Sequence, residues 1–552
     1  MKRALAIVVI LIALMCAAGP GLAEAFKVRG IKGLWWSGIE KYQEALPWLA
    51  DHNLNFLMLC YSSFPASGQD WRSEYTPTEK QQIGDLAAKG KKRGVSVCLS
   101  FNPGIWSKPP LTYSSDQDYA LALNKVKSIH ALGVNWFALC LDDINRKLED
   151  DDIAKFGTLQ AAQVHFVNRL WRDMKTLNPR PKLIFCPSAY LTEDAVNHLD
   201  YINTIGEGID KDVMMFWTGP QCCSTSISAA DANVFAKWIR RKPFVWDNYP
   251  VNDMFSWRLL MSPLKNRSAD LPGATSGYIS NPMKQWHAST IPLATTAAYL
   301  NDPASYDPAK AMEAAIRSYP SNEQRAVRLL VELYGSSFWG EKGFPPQPKP
   351  TSAVEAEKAL PKYRALRKEL SSNPGLADLW EDCRACIEGD IAILERKAHG
   401  RTGSPLKARG DDFEGGAGDV FGYYKMNRAV NYIYAKPTGR DKMAVDFQLA
   451  KVPAAGATLR LVGLNGDTGV LAKVRITFND FTVVDGETVF GAAGFETKTF
   501  ELPASALKAG RNTLSICNLE EQGALGMPPW FMVSEAEIAA KEEKGQSRNA
   551  EN

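Results

Sequence analysis

The chain has 552 residues, of which 45% are hydrophobic and 23% charged. This composition is typical of globular proteins and excludes a wholly disordered or fibrous chain. At roughly 100 to 200 residues per domain, the length predicts about two to four domains. The formal net charge is only +3 and no strongly basic block stands out, so nucleic acid is excluded as a partner.

Residues 1–25 have the layout of a secretory signal peptide. Lys2 and Arg3 precede an apolar run over residues 4–15, and small residues end the segment at Ala23 and Ala25. We therefore expect cleavage near Ala25 and a secreted or periplasmic product. No later apolar stretch reaches the roughly 20 residues that a transmembrane helix needs, so no transmembrane segment is predicted.

Short apolar runs alternate with longer amphipathic stretches over residues 26–302, which is the pattern of repeated βα units. The runs that we interpret as strands are 31–36, 56–61, 95–101, 136–141, 183–186, 213–217, 244–246 and 277–280. Eight such strands predict an α/β fold, a (β/α)₈ TIM barrel. Its functional residues should then lie at the C-terminal ends of the strands.

Two further regions and a tail follow the predicted barrel. Residues 303–400 have helical periodicity, interrupted by a proline-rich stretch at 344–350, and indicate a helical bundle. Residues 401–540 alternate in polarity between turns, which predicts an antiparallel β-sandwich. This domain is either a carbohydrate-binding module or a structural domain. The charged residues 541–552 are typical of a disordered tail.

The cysteines and histidines favour neither disulfides nor a metal centre. Removal of Cys16 with the signal peptide leaves an odd number of cysteines, and several lie in apolar runs. Cys383 and Cys386 fall on one apolar helical stripe, so we expect them to pack rather than to bind metal. The chain has 6 His and no His-Glu-x-x-His pattern, and no metal ion is expected.

The fourth predicted strand ends in two adjacent carboxylates, Asp142 and Asp143. Two such groups at a barrel rim raise each other's proton affinity, so that one can remain an acid while the other is ionised. This suits general acid and base catalysis. The alternative is structural, with Asp142 as a helix N-cap and Asp143 as a solvated acid in the first turn.

Aromatic and polar side chains end the later strands at the same predicted face. They are Trp217, Trp246, Asn248, Asp253 and Asn281. A sugar site combines flat rings for apolar sugar faces with fixed polar groups for hydroxyls. Each residue taken alone has an ordinary role in a core or a turn, so the hypothesis depends on their convergence.

Four segments, 137–144, 217–219, 246–253 and 277–282, together resemble glycoside hydrolase family 84. This family contains the O-GlcNAc hydrolases and related β-N-acetylglucosaminidases. The resemblance implies a GlcNAc-bearing glycan as substrate, no cofactor, and substrate-assisted hydrolysis, in which the sugar's own acetamido oxygen attacks the anomeric carbon.

The resemblance also implies roles for individual residues. Asp142 matches the acid that accepts the acetamido N–H, and Asp143 matches the general acid/base. Tyr190 and Trp246 match residues that make aromatic contacts to the acetamido group, and Asn248 matches a residue that makes a polar contact there. The remaining matches are Asp253 and Asn281 for sugar hydroxyls, Gly33 for a backbone contact, and Trp217 within the strand-six motif.

Two positions depart from the family pattern. Ser62 occupies the position of a usual lysine, and Lys32 replaces a usual acidic residue. Two alternatives therefore stay open beside a β-N-acetylglucosaminidase that removes terminal sugars. One is a non-catalytic GlcNAc-binding protein, and the other is an endo-acting hexosaminidase on hyaluronan-like polymers.

Overall fold

The structure is a computed structural model. It describes residues 25–33, 38–64, 71–104, 109–253, 258–335, 352–399, 405–418, 424–425, 428–466 and 470–541. The predicted signal peptide, the proline-rich stretch 344–350 and the predicted tail lie outside these residues, apart from Ala25 and Lys541.

Eight parallel strands close into a barrel, which confirms the predicted (β/α)₈ fold. They are β1 (Arg29–Lys32), β2 (Phe56–Leu59), β3 (Ser96–Phe101), β4 (Trp136–Cys140), β5 (Lys182–Cys186), β6 (Met214–Trp217), β7 (Phe244–Pro250) and β8 (Gly277–Asn281). Each strand pairs with the next, and β1 pairs with β8 to complete the ring.

Helices alternate with these strands and continue after them. They are α1 (Gly38–Asp51), α2 (Pro77–Lys92), α3 (Asp116–His130), α4 (Asp150–Phe156), α5 (Leu159–Met174), α6 (Thr192–Asn197), α7 (Leu199–Gly208), α8 (Ala229–Ile239), α9 (Leu271–Ala274), α10 (Trp286–Asn301), α11 (Pro308–Arg317) and α12 (Gln324–Tyr334). None of the helices in the described part of the chain is both long and apolar enough to span a bilayer.

Apolar side chains fill the inside of the barrel. Phe56 meets Trp136 edge-on with ring centroids 5.0 Å apart, and Phe216 meets Phe244 in the same way at 5.3 Å. A TIM barrel packed in this way is a core rather than a pore. Access for a ligand is therefore restricted to the loops at the ends of the strands.

β7 is longer than the apolar run from which it was predicted. The run ends at Trp246, but the strand continues to Pro250, with a register shift against β8 between Asp247 and Pro250. Polar residues extend this strand because their side chains are satisfied internally. The Asp247 carboxylate accepts hydrogen bonds from Arg267 and from the Tyr278 hydroxyl.

The Arg267–Asp247 ion pair is expected to be essential for stability. Arg267 Nη2 lies 2.8 Å from Asp247 Oδ1, and the two side chains are 3% and 0% exposed. Removing one partner would leave a buried, unpaired charge at a cost of about 3–5 kcal/mol. We therefore expect Arg267→Met to lower the free energy of unfolding by about that amount in chemical denaturation. Lys265→Met, at an exposed neighbouring position, is the control; equal losses in both variants would contradict the prediction.

The chain divides into two compact units, Met1–Asp253 with Leu260–Trp339, and Met254–Leu259 with Gly340–Asn552. Within the predicted helical bundle, α11 and α12 belong to the first unit. The next two helices, α13 (Ala353–Ser371) and α14 (Ala377–His399), belong to the second. A compact unit can contain more than one domain, so the domain limits predicted from the sequence stay predictions.

The second unit contains antiparallel sheets, as predicted. Its strands are β9 (Lys407–Arg409), β10 (Glu414–Gly415), β11 (Tyr424–Lys425), β12 (Arg428–Ala429), β13 (Asn431–Ile433), β14 (Lys442–Leu449), β15 (Ala457–Asn465), β16 (Lys473–Phe478), β17 (Phe481–Glu487), β18 (Glu496–Leu502), β19 (Gly510–Asn518) and β20 (Phe531–Ala540). One sheet has the order β10-β14-β19-β16-β17, and the other has β13-β20-β15-β18 with β9 beside β20. Apolar residues from both sheets share one buried core.

Candidate active site

A cleft of about 460 Å³ lies at the C-terminal ends of the barrel strands. Every strand except β3 contributes to its lining, either from its last residues or from the loop that follows. The lining residues are Lys32, Tyr61, Asp142, Asp143, Cys186, Tyr190, Thr218, Cys222, Trp246, Asn248, Asp253 and Asn281. The structure thus brings together all but two of the predicted site residues; the role of each stays a prediction.

The two predicted site residues outside the cleft lining are Trp217 and Gly33. Trp217 is fully buried, its ring stacks on Phe235 of α8 with centroids 5.7 Å apart, and its Nε1 donates to Thr192 Oγ1. Adjacent strand residues point to opposite faces, so Trp217 points towards the helices while Phe216 points inward. The structure therefore does not place Trp217 where a sugar in this cleft would bind.

Gly33 follows β1 and is packed against the second strand. A Cβ atom there would lie 2.0 Å from Tyr42 Oη and 2.4 Å from the backbone nitrogen of Cys60. Only glycine fits this close approach without displacing the backbone of its neighbour. This packing explains why a glycine occupies position 33. The predicted backbone contact to substrate stays a prediction.

The backbone at Asp143 explains how two consecutive carboxylates reach one cleft. Consecutive strand residues normally face opposite ways, but Asp143 has φ +53°, in the left-handed region that aspartate tolerates better than most residues. The chain therefore turns directly after Asp142. The alternative of a helix cap is wrong, because the next helix begins at Asp150 and its N-cap is Glu149.

The two carboxylates differ in their surroundings. Asp142 is 6% exposed, whereas Asp143 is open to solvent. Burial, with a smaller contribution from the negative charge of Asp143, raises the pKa of Asp142 to about 7. The positive charge of Lys32 and a hydrogen bond with Tyr61 oppose this rise. The pair is thus set to hold one proton near neutral pH, as the sequence predicts.

Tyr190 holds the exposed member of the pair. Its hydroxyl donates to Asp143 Oδ1 at 3.0 Å. Burial first, and then the neighbouring negative charges, raise the pKa of Tyr190, so the phenol remains protonated and keeps its role as a donor. This contact orients the carboxylate of an exposed side chain.

A network of amides lies on the opposite side of the cleft. Asn248 Oδ1 accepts from Trp246 Nε1 at 3.0 Å and from Asn281 Nδ2 at 2.9 Å. Asn281 Oδ1 is buried and has no hydrogen-bond partner among the described residues. An unsatisfied buried acceptor is costly, and a ligand hydroxyl would satisfy it. The Trp246 ring is held edge-to-face against Phe216, with centroids 5.2 Å apart.

Three residues near the acid pair were not assigned a role from the sequence. Tyr61 hydrogen-bonds Asp142, Asn102 donates to Asp142 Oδ1 at 3.4 Å, and the Cys222 thiol lies 3.9 Å from Tyr190 Oη. Tyr61 and Asn102 follow β2 and β3 closely. Examining the residues after every strand, rather than only the motifs, would have identified both. Cys222 lies farther along a loop, and no sequence pattern marks it.

The nine cysteines in the described part of the chain are not disulfide-bonded. Six are buried, and Cys222 is exposed in the cleft. The described residues also contain no cluster of three or more His, Cys, Asp or Glu that could hold a metal ion.

We expect Cys222 to be the first of these nine cysteines to react with iodoacetamide. A hydrogen bond from Cys223 lowers the pKa of Cys222 against the effect of burial, and an accessible thiol of lowered pKa reacts fastest. Peptide mass spectrometry after brief labelling is the measurement. Partly exposed Cys517, whose pKa is raised by burial, is the internal comparison; faster labelling of Cys517 would contradict the prediction.

The fold and the site together define the class of this protein. A TIM barrel places at its catalytic face two carboxyl groups in contrasting environments, beside an aromatic ring and a set of fixed amides. Paired carboxyls of this kind are the usual catalytic groups of glycosidases. The protein is a glycoside hydrolase.

The chain belongs to the β-N-acetylglucosaminidase family, glycoside hydrolase family 84: the family model described as beta-N-acetylglucosaminidase matches residues 28–332. It is 26% identical over 292 residues to the Protein O-GlcNAcase of Rattus norvegicus, and 26% over 275 residues to that of Mus musculus. These alignments cover 51% and 49% of this chain. The chain spans only 31% and 29% of the two relatives' lengths.

Solved structures share the fold. A mutant of the Thermobaculum terrenum O-GlcNAc hydrolase matches with a TM-score of 0.59 and 22% identity, over 67% of this chain and 82% of that one. The structure of CpGH84B matches with a TM-score of 0.54 and 20% identity, over 68% of each chain.

Proposed function

We propose that this protein is an exported β-N-acetylglucosaminidase that removes terminal β-linked GlcNAc from glycoconjugates by substrate-assisted, retaining hydrolysis. The observation that carries the proposal is the contrast within the acid pair: Asp142 is buried, and Asp143 is exposed and held by Tyr190. Membership of the β-N-acetylglucosaminidase family supports GlcNAc as the sugar that is removed.

In the proposed complex, the acetamido group enters between Tyr190 and Trp246. Its N–H donates to Asp142, which favours the ionised form of that carboxyl. The single proton of the pair then resides on Asp143, which is the form that the first step requires. Asn281 Oδ1 accepts a hydrogen bond from a sugar hydroxyl, which satisfies this buried acceptor. Exposed Asp253 accepts a hydrogen bond from another hydroxyl.

In the first step the acetamido carbonyl oxygen attacks C1 of the sugar, and the bond from C1 to the aglycone oxygen breaks. Asp143 gives its proton to that oxygen, so the aglycone leaves as a neutral alcohol. The product on the sugar is an oxazolinium ion, whose N–H remains hydrogen-bonded to the Asp142 carboxylate. Its positive charge is stabilised by this buried negative charge.

In the second step water attacks C1 from the face that the aglycone left. Asp143, now ionised, takes the proton from this water, and the bond between C1 and the acetamido oxygen breaks. Two displacements at C1 restore the original β configuration. The acid pair returns to its starting state with one proton.

The test compares wild-type protein on 4-nitrophenyl β-N-acetylglucosaminide and on the matching β-glucoside, which lacks the acetamido group. Cleavage of the first alone, with a β-configured product in a prompt proton NMR spectrum, is the expected result. Equal cleavage of both sugars, or an α-configured product, would contradict the mechanism. Binding of GlcNAc without turnover would favour a sugar-binding protein, and oligosaccharides released from hyaluronan would favour endo action.

Export is proposed from the pattern of residues 1–25 alone. Expression of the full chain in a bacterial host with a signal peptidase should yield a protein whose N-terminus lies near residue 26. Recovery of the intact N-terminus from the cytoplasmic fraction would contradict this part of the proposal.

A further inference from the structure

Lys32 brings a positive charge into the cleft from the end of β1. The side chain is almost completely buried, with the residue 2% exposed, and its Nζ lies 4.4 Å from the centroid of the Trp246 ring. A second ring, that of Tyr61, lies 5.8 Å from the same nitrogen. Two aromatic faces therefore hold this ammonium group in a defined place.

Lys32 is the only lysine or arginine among the described residues that line the cleft, whereas three carboxyl groups line it, those of Asp142, Asp143 and Asp253. A buried cation is costly unless negative charge compensates it. Asp142 is the buried carboxyl of the three, so the interaction between Lys32 and Asp142 is the least screened by water.

The positive charge of Lys32 stabilises the ionised form of Asp142. Burial and the charge of Asp143 raise the pKa of Asp142, and Lys32 is the largest influence that lowers it. Titratable groups from every neighbouring element act on this carboxyl or lie beside it. They are Lys32 from β1, Tyr61 and Cys60 after β2, Cys140 from β4, Cys186 and Tyr190 from β5 and its loop, and Asp143. Of these only Lys32 is cationic.

We propose that Lys32 is a positioning residue for the acid pair: its ammonium group stabilises the ionised form of Asp142 and thereby favours transfer of the shared proton to Asp143 when the sugar binds. The inference rests on the proposed function. Asp142 must accept the acetamido N–H, and a protonated carboxyl offers a poorer acceptor there. Asp143 must carry the proton that the leaving group receives. Lys32 thus supports the ionised form of Asp142 that this division of roles requires.

The experiment is the pH profile of kcat/KM on 4-nitrophenyl β-N-acetylglucosaminide for wild type, Lys32→Met and Lys32→Arg. Methionine keeps most of the side-chain volume and removes the charge. Without the cation Asp142 should hold its proton to higher pH, so the acidic limb should move upward by about one pH unit or more. This corresponds to about a tenfold loss of rate on that limb, with a smaller effect at alkaline pH. Lys32→Arg keeps the charge, and its limb should stay near that of wild type.

Lys182→Met is the matched control. Lys182 Nζ lies 4.4 Å from the Trp136 ring, the same separation as Lys32 from Trp246. Lys182 is an exposed residue at the start of β5, the opposite end of the barrel from the cleft. Its removal deletes a lysine with the same ring contact and should leave the acidic limb in place.

Two results would overturn the inference: an acidic limb that does not move in Lys32→Met, or equal shifts in Lys32→Met and Lys32→Arg. The pH dependence of GlcNAc binding, measured by calorimetry, reports the ionisation of Asp142 without requiring turnover. Wild-type protein that binds GlcNAc but does not hydrolyse the glycoside would therefore defeat the proposed function. The acidic limb of the pH profile of GlcNAc binding would still test the role of Lys32 in such a protein. Melting temperatures measured alongside show whether each variant is folded.

Discussion

Replacing Asp143 with asparagine is expected to lower kcat/KM on 4-nitrophenyl β-N-acetylglucosaminide by about 10²- to 10⁴-fold, the usual contribution of a positioned general acid. The amide cannot give a proton to the leaving oxygen or take one from water. Because Asp143 is exposed, the same change should alter the free energy of unfolding by less than about 0.5 kcal/mol. Activity and stability should therefore separate in this variant.

The dependence on the leaving group identifies the lost role. A 2,4-dinitrophenyl glycoside leaves readily without a proton, so the first step of its cleavage should suffer much less from Asp143→Asn than that of an alkyl glycoside. Asp151→Asn, which changes an exposed acid in the first turn of α4, is the control and should keep full activity. An unchanged rate for Asp143→Asn would contradict the assignment of Asp143 as the general acid/base. An equal loss on both leaving groups would show that Asp143 does not act as the acid.

Replacing Asp142 with asparagine is expected to abolish most activity and, in contrast to Asp143→Asn, to stabilise the fold at neutral and alkaline pH. The activity is lost because a neutral amide neither accepts the acetamido N–H as strongly nor stabilises the oxazolinium charge. The stability gain arises because the buried carboxylate has a pKa raised from 3.8 to about 7. Ionising this group within the fold costs a few kcal/mol, at most about 4.

The sign of the pH dependence follows from proton binding. Between about pH 4 and pH 7 the folded state keeps the Asp142 proton while the unfolded state has released it, so this group lowers the stability of wild type as the pH rises. Asp142→Asn removes that term. Its stability advantage should therefore be small near pH 4, should grow up to about pH 7, and should then level off. Denaturant titrations at pH 4, 6 and 8 measure it; an advantage that shrinks with rising pH would contradict the buried-carboxylate interpretation.

The barrel could be predicted because its signals are local. Each strand of a parallel sheet is buried on both faces and is therefore a short run of apolar residues, and each of the eight runs overlaps an observed strand. The strand boundaries were less predictable. β7 continues through Asp247 and Asn248 because Arg267 and Trp246 satisfy their polar groups, and these partners cannot be assigned from the local sequence.

The site could be predicted in part for the same reason. Asp142, Trp246 and Asn281 occur at or just after the ends of apolar runs, and a closed barrel brings such positions to one face. Trp217 also occurs at a strand end, but strand alternation directs it outward to Phe235. A motif match cannot distinguish these two directions, since both tryptophans end apolar runs.

The sequence by itself determined the class of fold, the face of the barrel that carries the site, and the acid pair, because these depend on residue types and on spacing along the chain. The tertiary structure alone decided the inequality within that pair. The left-handed turn at Asp143 exposes one carboxyl while the barrel buries the other. Lys32, 110 positions earlier in the sequence than Asp142, lines the same cleft as the buried carboxyl. Burial and distance set the free energy of each charge, and neither is a property of a residue's place in the sequence.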